Sequence, residues 1–487
     1  MTPVLPTQLP AGCGLRPARQ PNLLVVDIGR VGDPVAGALT VALGTVAAVV
    51  TAPIDLEEPG AVRVTALILA VSLCLVPFLK AIRRPNALLR AEHVLVMSPV
   101  FWLLLDPIQG SYDLAGLPPF AVQRAFLTIG VFSAAAWLAQ RGRVWTLPKF
   151  FREAAAREIT SNTLFTIGLV ASGLAFCRFA IPAGFDLRVM INALGAGRWD
   201  APWARRQLGG TDAFLDHLSY FGYIVPSLAV LLARQLGWRD LKPVIVLGLS
   251  VVLSLFLSQG GNRRIVGVVF GSAAVVWYLS AEHANWRKLG VLALGLAGLM
   301  SILNMMLDYR NIGFRAVLDP EFREEVVGGT LEDEALIRID DNFIRLAEMN
   351  LIFPTLEPYT TWRYPLWVVS RPLPRVLWPA KPLDPGFDLS EFLGIKGVSL
   401  SCSVIGELTM AGGLFAVALG GYLYGRLAQS LSHLLTTTGR SGLLVYAIGT
   451  LALFAGMRSM IELVLMSYGI LAWAALVWLL GSRTGTD

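Results

Sequence analysis

Arginine is the residue type in this chain best suited to do chemistry, and its placement is uneven. Arg178, Arg188, Arg198, Arg205 and Arg206 crowd one polar stretch, Arg263 and Arg264 stand together in "SQGGNRR", and Arg310, Arg315, Arg371 and Arg375 share a longer segment. A guanidinium presents a planar fork that grips phosphate oxygens through two hydrogen bonds, whereas an ammonium acts as a point charge. Lysine joins these clusters only at Lys381 and Lys396. Such a set suits a phosphate or pyrophosphate ligand, although GC-rich codon usage is a bland source of the same excess.

The elements that must position these side chains are membrane spans. With 55% hydrophobic and 15% charged residues and a mean hydropathy of +0.61, the 487-residue chain carries more apolar surface than a soluble domain could bury. It therefore reads as an all-α polytopic membrane protein, because lipid-embedded backbone must satisfy its polar groups within each segment and barrel-type alternation is absent. Apolar runs near 35–53, 61–82, 92–106, 121–140, 160–182, 213–234, 243–258, 264–280, 289–307, 402–425, 441–456 and 459–480 predict about twelve transmembrane helices.

Positive charge in the short loops sets the expected orientation. Arg16, Arg19 and Arg30 precede span one. Lys80, Arg83, Arg84 and Arg90 follow span two, Arg141, Arg143, Lys149, Arg152 and Arg157 follow span four, and Arg234, Arg239 and Lys242 follow span six. All fall on one side of a twelve-span chain, which places both termini in the cytoplasm and the protein in the cytoplasmic (inner) membrane. The layout is then a cytoplasmic tail over 1–34, helices one to nine over 35–307, an extracytoplasmic loop over 308–400, helices ten to twelve over 401–481 and a cytoplasmic tail over 482–487. The net charge of +6 is ordinary for such a protein and implies no nucleic acid; scattered Cys13, Cys74, Cys177 and Cys402 indicate neither a disulfide framework nor a metal site.

The loop over 308–400 is far longer than an ordinary connection. Its middle, "LEDEALIRIDDNFIRLAEMNLIFPTL", spaces apolar residues helically and predicts one or two amphipathic helices at the membrane interface. Its end, "YPLWVVSRPLPRVLWPAKPLDPGF", predicts a rigid irregular segment at headgroup level, with Trp362, Trp367 and Trp378 as interfacial anchors or sugar-stacking platforms. Arg263 and Arg264 are harder to explain, since a short external turn is where the positive-inside preference acts against them. Ionisable groups at such a place mark a polar cavity with an anionic occupant.

"SQGGNRRIVGVVFG", the large loop closing with "RPLPRVLWPAKP", and "SLSCSVIGELTMAGGLFAVALGGYLYGRL" after it resemble the Wzy-type oligosaccharide repeat unit polymerases, also called O-antigen polymerases. The likeness covers the second half of the chain closely and the first half in hydropathy. It implies a GT-C-like glycosyltransferase that uses neither a nucleotide sugar nor a metal or other cofactor. Such enzymes move a growing glycan from undecaprenyl pyrophosphate onto a single lipid-linked repeat unit. Their partners include membrane lipid and the chain-length regulator and flippase of the same pathway. The family's pattern of an Arg, ten residues and a Gly in two external loops is met at Arg198 to Gly209 and Arg375 to Gly386.

Transfer from a pyrophosphate leaving group needs cations to stabilise the departing oxygen and a base for the acceptor hydroxyl. Histidine is scarce: His217 lies near the start of span six, His93 begins span three, and His283 and His433 fall on the opposite side. Glu407, in "IGELTMAGG", is therefore the expected base, with an ion pair fixing the loop to the bundle as its structural alternative. Asp308, Asp340 and Asp341 follow, the last two also readable as solvated acids, and Arg458 with Glu462 reads as a helix pair. Glu407, Arg264 and Arg310 form the expected catalytic set, and Arg263, Arg198, Arg205, Arg315, Arg371, Arg375 and Lys381 the substrate-binding set.

Three other functions compete. An O-antigen ligase would place a histidine in the long loop, which has none. A polysaccharide or lipid-linked sugar transporter, or a flippase, would show inverted repeats and broken helices at the midplane. A membrane acyltransferase would bury a histidine within its spans, and the sequence shows none plainly. The glycines of "GELTMAGGLFAVALGGYLYG" suit close helix packing or a prenyl groove, with packing as the default.

Overall fold

The computed structural model describes residues 32–480 except 59, 111–113, 115, 198, 205–212, 260–262, 282–284, 310–320, 322–338, 372, 374–377, 383, 396–399 and 438. Among the described residues the protein is helical throughout, without strands. Its helices are α1 Pro34–Thr51, α2 Arg63–Arg83, α3 Ala91–Gln109, α4 Pro119–Leu138, α5 Lys149–Ala156, α6 Ser161–Ala180, α7 Leu187–Leu194, α8 Ala213–Gly222 and α9 Val225–Leu236. They continue as α10 Leu241–Ser258, α11 Arg263–Leu279, α12 Trp286–Tyr309, α13 Asn342–Ile352, α14 Arg363–Ser370, α15 Leu389–Phe392, α16 Ser403–Thr437, α17 Arg440–Gly456 and α18 Met460–Leu480.

Nine helical stretches among the described residues are long and apolar enough to cross a membrane, counting α8 and α9 as one, and two shorter apolar helices accompany them. The chain is a multi-pass membrane protein. Its outer surface agrees, since Leu43, Val50, Val64, Val71, Leu294 and Phe415 leave most of their side chains uncovered, as lipid-facing positions do. Polar punctuation sets the starts. The Asp33 carboxylate accepts from Val35 N at 2.9 Å before α1, and the Asp240 carboxylate from Lys242 N at 2.9 Å before α10.

Small residues decide which helices meet. A Cβ at Gly421 would stand 2.3 Å from the Phe132 carbonyl oxygen, and one at Gly425 would stand 2.4 Å from that of Ala136. α16 therefore lies directly on α4, and packing is what these glycines provide. Gly37 against Trp137 and Gly130 against Thr45 seat α1 on α4 in the same way.

Three elements differ from the sequence reading. The stretch expected as one span over 213–234 is divided into α8 and α9 by a turn at 223–224. The stretch expected over 402–425 runs on to Thr437 and breaks at Gly412 and Gly413, where Gly413 has φ of +62°. The long loop also sits differently. α13 was expected at the interface, but Phe343, Leu346 and Ala347 are fully buried, and the Phe343 ring lies 4.9 Å from Phe126 of α4. Amphipathic spacing cannot distinguish a headgroup surface from a protein surface, and here α4 and α16 supply the apolar partner. "RYPLWVVS", expected to be irregular, folds as α14, whose Tyr364, Trp367 and Val368 are buried.

The C-terminal ends of α6 and α17, the N-terminal ends of α8, α16 and α18, and helices α13 and α14 gather at one end of the bundle. At the other end, Arg157 Nη1 donates to the Val477 carbonyl at 2.8 Å, Arg426 Nη1 to that of Ala139 at 3.1 Å and Lys242 Nζ to Asn162 at 2.6 Å. The short loops richest in Arg and Lys are thus segregated from the long loop.

Candidate functional site

Of the residues expected at the site, Arg198, Arg205, Arg310, Arg315 and Arg375 lie outside the described residues. Arg263 and Arg264 are the first two residues of α11. Glu407, Arg371 and Lys381 are fully described.

Glu407 stands one turn into α16, in a short segment that Gly412 and Gly413 set off from the rest of the helix. Its Oε1 accepts from Ser459 Oγ at 2.6 Å and its Oε2 from Met460 N at 2.7 Å. The carboxylate thereby serves the first free N–H of α18, a favourable place for negative charge. Val404 N donating to the Met457 carbonyl at 3.0 Å and Ser401 Oγ donating to that of Arg458 at 2.9 Å close the same junction. Arg458 pairs with Asp340 and, at 3.8 Å, with Glu462. Asp340 is therefore tied to the α17–α18 turn rather than left as a solvated acid. Arg345 pairs with Glu348 at 2.6 Å and Asp341 at 3.8 Å. The Tyr364 hydroxyl lies beside Glu407; burial first, then the nearby carboxylate, holds it protonated well above the ordinary phenol range. This cluster sets Asp340, Asp341, Glu348, Glu407 and Glu462 against Arg345 and Arg458, an excess of acid that suits a structural junction and repels a pyrophosphate.

Cationic and aromatic groups continue along the same face of α14, where Tyr364, Trp367 and Arg371 follow at helical spacing and the Tyr364 and Trp367 rings lie 6.0 Å apart. Trp367 is buried, and the Arg371 guanidinium covers its ring at 4.5 Å. Arg371 is within electrostatic range of Tyr468 on α18. The Tyr468 ring meets Tyr220 edge-on at 4.5 Å and the exposed His217 imidazole in a stack at 6.0 Å. Behind them the buried Arg178 guanidinium pairs with Asp216 at 2.5 Å and donates to the Trp203 carbonyl at 2.8 Å; its Nη1 is buried without a partner. Trp203 Nε1 donates to Gln259 Oε1 at 3.1 Å, and Gln259 Nε2 to the carbonyls of Ala196 and Gly197 at 3.1 and 3.2 Å.

Ring contacts join Tyr468 to Tyr220 and His217, and a separate set of polar contacts joins Asp216, Arg178, Trp203 and Gln259. Through Gln259 the segment that ends before Arg198 is tied to the end of α10. Gly197 precedes Arg198, and Gln259 stands four residues before Arg263. Lys381 plays another part in this arrangement. It is buried, and its ammonium donates to the carbonyls of Arg371 and Leu373 at 3.2 and 3.1 Å, closing the loop that carries them.

An apolar groove of about 910 Å³ opens between α10, α11 and α12, lined by Val251, Leu255, Phe270, Trp277, Leu296 and Leu299 among others. It begins at Val266, one helical turn from Arg263, and follows α11 to Trp277, a run of about 16 Å at 1.5 Å per residue.

The sequence pattern set His217 aside in favour of Glu407 and gave no role to Tyr220 or Tyr468. The polar pair Asp216 and His217 at the head of an apolar run was the available signal; nothing local marks Tyr468, whose partners lie on another helix. Sequence reasoning also found no histidine plainly buried within a span. His93 is such a residue: it has no exposure, its Nδ1 lies 2.6 Å from the Ala87 carbonyl, and it sits in α3 at the opposite end of the bundle. No family model, no curated protein and no solved structure matches this chain.

Proposed function

We propose that this protein is a glycan polymerase, a metal-independent membrane glycosyltransferase of the GT-C-like class with about twelve spans and both termini cytoplasmic. It would extend undecaprenyl-pyrophosphate-linked repeats at the outer face of the cytoplasmic membrane during surface polysaccharide synthesis. One observation carries this reading: Gln259 ties the segment that ends before Arg198 to the end of α10, four residues ahead of Arg263, beside an apolar groove lined by Ser258 and Val266 at that end. That pairing suits a ligand with an anionic head and a long isoprenoid tail.

In this reaction the acceptor hydroxyl oxygen attacks the anomeric carbon of the donor sugar. The bond from that carbon to the pyrophosphate oxygen breaks, undecaprenyl pyrophosphate leaves with the electron pair, and the hydroxyl proton passes to a base. Arg371 would neutralise the leaving group, and Arg263, Arg264, Arg198, Arg205, Arg310, Arg315 and Arg375, which the sequence pattern names, are the further candidates for that role. Half-buried Tyr220 offers an aromatic face for a sugar ring, backed by the buried Tyr468. Glu407 is the carboxylate named by the sequence pattern, but it is buried and both of its oxygens are engaged by the α18 start. His217 is exposed beside Tyr220 and Tyr468, and we assign the proton-accepting role to it, with Glu407 and Lys381 as positioning residues.

Deletion in the native host, followed by separation of surface glycan by length, tests the assignment. A product arrested at one repeat unit is the expected result. Lipid-linked polymer that never reaches its final acceptor would instead identify a ligase of the same architecture, and lipid-linked single repeats trapped at the inner face would identify a transporter.

A further inference from the structure

At the end of the bundle away from Glu407 and His217, the connection between α4 and α6 forms a basic, aromatic surface. Ala139–Arg141 makes one 3₁₀ turn, and α5 buries Ala154 and Ala155 while Lys149, Phe150, Arg152 and Glu153 face outward. Arg141 and Arg143 are exposed as well. The only acid between them and Arg152 or directly beside it is Glu153, which pairs with Lys149 at 3.6 Å. Trp145 and Phe150 are both nearly half exposed among these cations.

A second observation lies beneath Trp145. The buried Arg426 guanidinium sits 5.2 Å from the indole ring, and its Nη1 donates to Gln429 Oε1 at 2.7 Å. Its Nε is buried without a partner, as are both amide atoms of Gln140. Gln429 does not relieve them, because its own amide donates to the carbonyls of Gln140 and Gly142. Buried polar groups are nearly always hydrogen-bonded. Here unmet N–H donors of Arg426 and Gln140 lie under the connection that exposes Arg141, Arg143 and Arg152.

We propose that this surface binds the headgroup of an anionic phospholipid. The phosphate would dock among Arg141, Arg143 and Arg152, with Trp145 shifting to let a headgroup oxygen reach Arg426 and Gln140. A lipid fits better than a free anion, because Trp145 and Phe150 place apolar rings at the level where a glycerol backbone and upper acyl chain would lie. The proposal is independent of the catalytic reading.

The full-length protein is purified, reconstituted in nanodiscs of phosphatidylcholine with or without phosphatidylglycerol, and assayed for thermal unfolding and for lipid retained in native mass spectrometry. Phosphatidylglycerol is expected to raise the melting temperature of the wild type and to survive detergent exchange as a bound lipid. The surface variant Arg143→Gln/Arg152→Gln, which touches no buried group, is expected to retain it roughly twentyfold less, at about fivefold per cation. Arg426→Gln is expected to lose the thermal shift. Equal melting temperatures in the two lipid mixtures, or full retention by the surface variant, would overturn the proposal. So would reproduction of the shift by inorganic phosphate in phosphatidylcholine discs, which would assign the surface to free anions.

Discussion

Arg371 is the described arginine on which phosphate recognition can be tested most directly, because its stacking on Trp367 fixes the plane of the fork. Arg371→Lys keeps the charge but loses the planar contact and the paired donors. Transfer, measured as kcat/KM with purified enzyme and lipid-linked repeat units, is expected to fall about ten- to a hundredfold, the equivalent of one charged hydrogen bond at roughly 1.5–3 kcal/mol. Unaltered transfer by a normally folded variant would exclude bidentate recognition there. The two candidate proton acceptors separate by a different pair of readouts. Glu407→Gln retains one acceptor oxygen for two donors, so it should lower stability by about 1–3 kcal/mol, seen in unfolding of the solubilised protein. His217→Gln is expected to leave stability unchanged and to abolish turnover while donor binding persists. If Glu407→Gln were instead stable, donor-binding and inactive, the base role would return to the carboxylate.

Among the elements, α16 does the most to shape the site, through two different uses of glycine. Gly421 and Gly425 admit the backbone of α4, while Gly413 turns the chain at a positive φ with Tyr359 so close that an added Cβ would stand 2.6 Å from its hydroxyl. Gly413→Ala therefore combines a left-handed backbone with a clash and is expected to cost roughly 1–3 kcal/mol. The same variant should tilt the segment carrying Glu407 off the α18 start, so reduced protection of the 457–460 amides in hydrogen exchange is the expected companion. A variant as stable as wild type with unaltered exchange would show that the kink is dispensable. α14 works through one face, along which Tyr364 lies beside Glu407 and Trp367 leads on to Arg371 at the C-terminal end.

Across the whole molecule, the long loop's helices and the Arg- and Lys-rich short loops occupy opposite ends, so one labelling experiment fixes the orientation. Cysteine introduced as Glu391→Cys in the long loop is expected to react with a membrane-impermeant maleimide in intact cells, and Lys149→Cys on α5 only after the cytoplasm is opened. The reverse pattern would invert the topology and remove the outer-face reaction. Sequence alone determined the membrane class, the helical content and the approximate position of each apolar run. These follow from hydrophobicity along a continuous segment, a local property that a bilayer converts directly into a helix. It also marked the arginine-rich loops and singled out Glu407, since an acid within an apolar run stands out by contrast. Only the tertiary structure decided that α13 is buried rather than interfacial, that Glu407 caps α18, that Lys381 closes its own loop, and that His217 and Tyr220 meet Tyr468. Those outcomes depend on which helices become neighbours. Neighbour choice rests on close contacts such as Gly421 against Phe132 and Gly37 against Trp137, between segments whose partnership no local pattern encodes.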